Sequence, residues 1–189
     1  MHSILIVTNS EKSIAFFTEL LHQNVYESIT FIENCGKARR MLLEREFDLC
    51  IINAPLADES GIEFAIHVAS DGICQVILIV KSELFDEASA GVEEFGVFTV
   101  SKPINRSVFW SVLKMATAAY HRLARLKKEN SRLVQRLEDI RIITRAKCLL
   151  IEYLNMSELA AHKYIEKQAM DLRITKKEVA NRILKTYEH

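Results

Sequence analysis

The side chains best suited to chemistry with a charged partner are basic residues near the carboxyl end of this chain. Lysine and arginine neutralise phosphate groups, so a cluster of them is typical of a surface that binds a polyanion. Nine such residues are the candidate binding residues: Arg141, Arg145, Lys147, Lys163, Lys167, Arg173, Lys176, Lys177 and Arg182. The rings of Tyr164, Tyr187 and His162 could add stacking on unpaired bases.

The charge of the chain is divided unequally, although the net charge is zero. Residues 1–119 hold nine basic and sixteen acidic residues, and residues 120–189 hold sixteen basic and nine acidic ones. This division indicates two modules, of which the second suits a polyanion. A long exposed helix that carries charge only for solubility would be the alternative.

Patterns that would indicate catalysis are absent from the sequence. It has no phosphate-binding glycine loop, no histidine pair at zinc spacing and no serine flanked by glycines. Its four cysteines lie at no metal-ligand spacing: Cys35, Cys50, Cys74 and Cys148. We therefore expect neither an enzyme nor a metal or cofactor, and scattered thiols favour a reducing cytosol.

The amino terminus and the apolar runs bear on location. Met1-His2-Ser3 leads directly into an apolar segment, without the basic and then apolar layout of a signal peptide. No apolar run reaches the roughly 18–20 residues that span a bilayer. We expect a cytoplasmic protein that does not enter the membrane.

Five apolar runs alternate with helical patterns in the first part of the chain. The predicted strands are 4–7, 29–32, 49–52, 76–80 and 97–100, and the predicted helices are 11–22, 36–46, 61–69 and 85–94. Continuous runs of valine, isoleucine and leucine indicate strands that are covered on both faces. The pattern predicts an α/β fold with a doubly wound, five-stranded parallel sheet, as in flavodoxin-like proteins.

A helical pattern begins near Asn105 and carries a heptad repeat over residues 116–140, the predicted coiled-coil linker. Two series of positions spaced by seven form the predicted seam: Ala116, Leu123, Asn130 and Leu137, and Ala119, Leu126, Leu133 and Ile140. A single asparagine in such a seam specifies register and favours a parallel pair of helices. The prediction is a homodimer; the alternative is that this stripe packs on its own chain.

The tail reads as three short helices. Asn155 can adopt the left-handed conformation that ends the first, Ser157 can cap the second, and Thr175 with Glu178 forms a capping box for the third. Ala146, Ala169 and Met170 are predicted core residues. The sequence therefore predicts a small all-α domain over residues 136–189.

Two segments of the first module carry a family resemblance. The run 47–53 (Phe-Asp-Leu-Cys-Ile-Ile-Asn) and the run 96–103 (Gly-Val-Phe-Thr-Val-Ser-Lys-Pro) resemble the receiver domain of two-component response regulators, over residues 1–118. In that family, a carboxylate pair after the first strand holds Mg²⁺ and an aspartate after the third accepts a phosphoryl group. A hydroxyl residue after the fourth strand and a lysine after the fifth complete the switch.

Most of these functional positions are changed in this chain. The carboxylate pair corresponds to Thr8 and Asn9, the phosphoryl acceptor to Asn53, the hydroxyl position to Val80, and only Lys102 matches. Magnesium requires carboxylate oxygens, and an amide cannot form an acyl phosphate. The site is therefore predicted to be degenerate. Substitution by Asp58 or Glu59, on the loop that follows, is the alternative.

Lys102 could have a structural role in the degenerate site. We expect it to bond Asn53, a carbonyl or water, and it precedes a proline that could take the cis form.

The tail resembles the ANTAR family of transcription antitermination regulators. The resemblance rests on an ordered series of motifs: Arg145-Ala146-Lys147, Met156-Ser157-Glu158, Ala161, Ala169-Met170-Asp171 and Arg173. Cys148 and His162 depart from the family pattern. The resemblance implies binding of paired hairpins in nascent leader RNA, which prevents the overlapping terminator from forming.

The sequence thus predicts an RNA-binding antitermination regulator that acts as a dimer. Its receiver-like domain would serve as a partner-binding or dimerisation module. A dimeric DNA-binding regulator with a helix-turn-helix and a protein-interaction adaptor remain as alternatives.

Overall fold

The computed structural model describes residues 3–22, 26–70 and 74–187. The chain divides into two compact units, Met1–Ala124 and Arg125–His189, and one long helix contributes to both. No helix in the described ranges is long and apolar enough to cross a bilayer.

The first unit is built on a five-stranded parallel sheet. Its strands are β1 (Ser3–Val7), β2 (Ser28–Ile32), β3 (Leu49–Asn53), β4 (Gln75–Lys81) and β5 (Phe98–Lys102), in the spatial order β2-β1-β3-β4-β5. The central strand β3 is buried along its whole length, as continuous apolar runs require. The predicted doubly wound sheet is confirmed.

Four helices connect the strands: α1 (Glu11–His22), α2 (Cys35–Glu44), α3 (Ile62–Ser70) and α4 (Phe85–Val92). Two short 3₁₀ turns, Ser82–Leu84 and Glu93–Phe95, flank α4. Strand side chains alternate between the two faces, so the sheet has two cores. One contains Leu5, Cys50 and Phe64, and the other contains Ile4, Ile51 and Phe17.

The long helix α5 (Arg106–Leu154) begins after Pro103 and meets no proline or glycine. Phe109, Leu113 and Ala116 complete the second core of the sheet. The placement of Ala116 in the predicted seam was therefore wrong, because its side chain is fully buried inside its own domain. The exposed part of the seam starts at Leu123.

The second unit contains the carboxyl end of α5 with α6 (Glu158–Leu172) and α7 (Lys176–Tyr187). Asn155 ends α5 in the left-handed conformation, with φ of 50°. The Ser157 hydroxyl accepts the Ala160 amide as the α6 cap. The Glu178 carboxylate accepts the Thr175 amide at 2.7 Å while the Glu178 amide donates to Thr175 Oγ1, which completes the predicted capping box.

A small apolar core holds these three helices together. Its buried members are Ala146, Leu150, Ala161, Ile165, Ala169, Val179, Ala180 and Ile183. Four of the eight are alanines, and such short side chains let helix axes approach closely. The core is compact for that reason.

Candidate functional site

Parallel strands bring the degenerate receiver residues to the carboxyl edge of the sheet. Thr8 directly follows β1, Asn53 ends β3 and Lys102 ends β5. The Asn53 amide nitrogen donates to Thr8 Oγ1 at 3.0 Å and to Ser13 Oγ at 2.9 Å. Sequence reasoning missed Ser13, which lies in the first turn of α1 and could have been found only from the fold.

Lys102 is engaged with the backbone of its own domain. Its Nζ donates to the carbonyl oxygen of Ala54, which is one of the three partners anticipated from the sequence. Burial lowers the pKa of Lys102, and the nearby charge of Lys81 lowers it further. The Lys102–Pro103 peptide bond is cis, as anticipated.

No acidic group among the described residues lines the pocket at this edge. The pocket has a volume of about 320 Å³, and within the described residues its walls are formed by Lys12, Ser13, Asn53 and Lys102 with apolar neighbours. Val80 is buried in β4, and the Asn9 side chain is exposed beside Thr8. The Asn53 side-chain oxygen is buried and accepts no hydrogen bond from any described residue. The pocket offers cations and amides, and lacks the oxygen anions that Mg²⁺ requires.

Asp58 and Glu59 are engaged at the amino terminus of α2. Asp58 accepts the backbone amides of Cys35 at 3.2 Å and Gly36 at 3.0 Å. Arg39 holds Glu59 through both of its terminal nitrogens, and this hydrogen bonding lowers the pKa of Glu59. The potential metal-ligand atoms of Cys35, Asp58 and Glu59 lie within 4.8 Å of one another. Both carboxylates already accept hydrogen bonds, Asp58 from backbone amides and Glu59 from Arg39.

Three of the candidate cations, all lysines, form ion pairs that join two helices of the second unit. Lys147 Nζ lies 2.5 Å from Glu158, Lys177 Nζ lies 2.8 Å from Asp139, and Lys176 pairs with Glu166. In each pair the hydrogen bond from the lysine lowers the pKa of the carboxylate. The Lys147 side chain is only 18% exposed. These lysines link α5 to α6, α5 to α7, and α6 to α7.

Four other candidate cations lie on the outside of the same unit. Lys163 and Lys167 are exposed one turn apart, on the side of α6 opposite its buried residues. Arg182 is exposed on α7, and Arg173 is exposed in the left-handed turn after α6, with φ of 54°. These four side chains are placed to reach a polyanion in solvent.

Arg141 and Arg145 line an open groove between α5 and α7. The groove has a volume of about 570 Å³, and Ile142 and Leu184 contribute apolar surface to it. Arg141 is 82% exposed and approaches Glu138 only to 3.7 Å. The groove therefore combines an apolar wall with guanidinium groups, which can stack on or pair with nucleotides.

The aromatic candidates differ from one another in accessibility. Tyr164 is partly exposed on α6, whereas Tyr187 is half-buried and stacks on Tyr153, with ring centroids 5.2 Å apart. The prediction that Met170 belongs to the core was wrong, because its side chain is 78% exposed. It lies near the end of α6, before the left-handed turn at Arg173.

The predicted seam of α5 is uncovered in the single chain. Its large apolar members, Leu123, Leu126, Leu133, Leu137 and Ile140, are between 48% and 62% exposed. Asn130 is exposed in the same row. The alternative that this stripe packs on its own chain finds no support among the described residues.

Fold and site together define a two-part protein. A receiver-like domain without its acidic residues precedes a long helix with an uncovered apolar seam and a small basic helical domain.

Comparison with known proteins agrees with this class. Residues 131–184 match the family model of the ANTAR domain. The chain therefore carries an ANTAR domain behind a receiver-like domain.

A curated relative spans both parts. The chain is 27% identical over 168 residues to "Transcriptional regulatory protein PdtaR" of Mycobacterium tuberculosis, covering 89% of this chain and 82% of the relative.

Solved structures share the receiver fold. A signal receiver domain from Pseudomonas fluorescens Pf-5 has a TM-score of 0.59 and 23% identity, covering 66% of this chain and 92% of that one. A two-component response regulator from Clostridium difficile has a TM-score of 0.55 and 18% identity, covering 62% and 97%. At these identities the likeness concerns the fold.

The receiver pocket generates a prediction about phosphorylation. Incubated with acetyl phosphate and Mg²⁺, the protein should gain no phosphoryl group by intact-mass spectrometry. Asn53→Asp should behave in the same way, because Thr8 and Asn9 still supply no carboxylate for the metal. Asn53→Asp combined with Thr8→Asp and Asn9→Asp is the matched positive control. A phosphorylated unmodified protein would contradict this account of the pocket.

The ion pairs of the second unit generate a prediction about stability. Lys147→Ala should lower the free energy of unfolding by on the order of 1 kcal/mol, since the mostly buried stem and the link to Glu158 are both lost. Lys163→Ala, which removes an exposed lysine, should change it by less than about 0.5 kcal/mol. Urea denaturation followed by circular dichroism measures both. Equal effects would show that Lys147 does not support the helix packing.

Proposed function

We propose that this protein is a transcription antitermination regulator that binds hairpins in nascent leader RNA. The ANTAR domain match at residues 131–184 is the observation that carries the proposal. The name of the mycobacterial relative, a transcriptional regulatory protein, supports it. In this proposal the protein works in the cytoplasm.

The proposed mechanism is a shift between two competing RNA structures. A leader transcript can form either an early hairpin pair or an overlapping terminator. A protein shifts such an equilibrium only to the extent that it binds one structure more tightly than the other. Bound to the early hairpins, this protein would keep the terminator from forming, and no covalent chemistry is required.

The RNA surface in this proposal is carried by the cations that point into solvent. Lys163, Lys167 and Arg182 would contact phosphates, and Arg141 with Arg145 would hold nucleotides along the α5–α7 groove. Arg173 would add a contact at the turn after α6. Lys147, Lys176 and Lys177 would instead hold the helices in place through their carboxylate partners. This assignment narrows the nine candidates to six contact residues.

The active form in this proposal is a homodimer paired through the exposed seam of α5. Burying half-exposed leucines of two copies against each other is favourable, at roughly 25 cal/mol for each Å² of apolar surface. Asn130 would pair with its counterpart and select the parallel register. Two linked RNA domains suit a two-hairpin target, because binding of the first hairpin raises the effective concentration of the second site.

The receiver-like domain in this proposal responds to association with a protein partner or with its own copy. Its pocket lacks the acidic residues of a phosphorylation site, and Asp58 and Glu59 are occupied at the start of α2. The domain would then act as a folded module for protein contacts.

Binding to RNA is the direct test of this proposal. A two-hairpin leader RNA should bind in a salt-dependent way, and the Lys163→Ala/Lys167→Ala double variant should bind more weakly. For the double variant, the magnitude of the slope of log affinity against log salt should be smaller by about 1–2, because each phosphate contact contributes about 0.7–0.9. Lys114→Ala, which removes an exposed lysine of the first unit, is the matched control and should leave the slope unchanged. Electrophoretic mobility shift or filter binding at several salt concentrations gives the slopes.

Two outcomes would contradict the proposed function, and each would favour a different one. Equal binding to duplex DNA of the same sequence would favour a DNA-binding regulator. Failure of every nucleic acid to bind would favour a protein-interaction adaptor.

The seam gives a second prediction. Leu133→Asp should convert the dimer to a monomer in sedimentation velocity, since a carboxylate would be buried at a d position in both copies. Gln135→Asp introduces the same group two residues further on, outside the seam, and should leave the dimer intact. Loss of the dimer in both variants, or in neither, would exclude this seam as the interface.

A further inference from the structure

The residues beside the seam of α5 carry mostly one sign of charge. With Leu123, Asn130 and Leu137 at a positions, the flanking e and g positions fall on Arg122, Lys127, Glu129, Val134, Arg136 and Arg141. Four of these six are cations and one is an anion, and all six are exposed. These positions decide which helices pair in a coiled coil.

A parallel pair of identical helices would bring these cations together. Each g residue faces the e residue of the next heptad on the other helix. Arg122 would therefore face Lys127 of the second copy, and Arg136 would face Arg141 of the second copy. Glu129 would face Val134, so none of these contacts would form an ion pair. Every such pair occurs twice in a symmetric dimer.

The chain itself compensates little of this repulsion. Glu138 approaches Arg141 at 3.7 Å, and both side chains are more than half exposed. An exposed pair of this kind contributes little in water. The apolar seam thus favours association while its flanks oppose it.

We propose that like charge beside the seam keeps the dimer weak, and that bound RNA strengthens it by neutralising those cations. The proposal rests on the function proposed above and adds its regulation. Phosphate groups held near Arg136 and Arg141 would remove the repulsion at the carboxyl end of the seam. By linkage, the dimer would then bind RNA more tightly than the monomer by the same factor. The free protein would remain mostly monomeric until a target transcript is present.

The charge of one flanking position provides the test. Lys127→Glu places a carboxylate opposite Arg122 of the second copy and turns two repulsive pairs into two attractive ones. The dimer dissociation constant of the full chain at low salt should fall by about tenfold. Lys128→Glu makes the same charge change one residue further on, at an f position that faces solvent, and should leave the constant within about twofold. Analytical ultracentrifugation measures both.

Two further measurements make the test stricter. Adding Arg122→Glu to Lys127→Glu restores like charge and should return the dissociation constant to that of the unmodified protein. The unmodified dimer should also tighten as salt is raised, because screening weakens repulsion, whereas RNA binding weakens with salt. Equal behaviour of Lys127→Glu and Lys128→Glu would overturn the proposal.

Measuring the dimer dissociation constant with RNA present tests this proposal separately from the RNA-binding function on which it rests. A single short hairpin should lower the dimer dissociation constants of the unmodified protein and of Lys127→Glu by similar factors, because it neutralises Arg136 and Arg141, which this substitution leaves unchanged. A hairpin that binds both proteins but changes neither constant would overturn the regulation and leave the RNA-binding function standing. If no hairpin binds, the RNA-binding function fails, while the salt and charge measurements still decide whether the flanks repel.

Discussion

The continuity of α5 is the constraint on which the rest of the structure depends. Over 49 residues without proline or glycine, one helix meets three different surroundings. Near its start Phe109 and Leu113 are buried against the sheet, and near its end Ala146 and Leu150 are buried among α6 and α7. Between these cores, most side chains of the helix are exposed in the single chain. A helix this exposed needs another source of stability, because helical propensity alone contributes little. In the proposed dimer, the heptad leucines supply one by packing against a second copy.

Sequence patterns predict the fold well where local signals agree with the tertiary structure. Uninterrupted apolar runs indicate buried parallel strands, and Asn155, Ser157 and Thr175 mark helix ends by their own side-chain chemistry. The failures occur where an environment is set by distant parts of the chain. Ala116 fits the heptad yet packs against the sheet, and Met170 follows buried Ala169 yet points into solvent. Ser13 could be assigned to the receiver pocket only after α1 was placed beside β3.

The same limit applies to the basic residues. A sequence shows where the lysines are, but it does not distinguish a lysine that faces solvent from one that is paired with a carboxylate ten or eleven residues away. Lys147 and Lys176 look like phosphate-binding residues by composition and position, and their partners, Glu158 and Glu166, belong to another helix. The hydrogen bond from each lysine lowers the pKa of its carboxylate partner and so favours the ionised form of Glu158 and Glu166. Part of the positive charge of the second unit is thus used to hold three short helices around a core rich in alanine.

Loss of the acidic residues from the receiver pocket changes what can control this protein. A phosphorylated domain stores its signal in a covalent bond, which requires a metal site and a nucleophilic carboxylate. Here Asn53 donates to Thr8 and Ser13, and Lys102 donates to a carbonyl, so these polar side chains are engaged in internal hydrogen bonds. In the proposed mechanism, control comes from an equilibrium between associated and separate chains. The seam of α5 is suited to that role because its apolar surface and its flanking cations act in opposite directions. A balance of that kind can be shifted by any ligand that binds one side of the equilibrium more tightly.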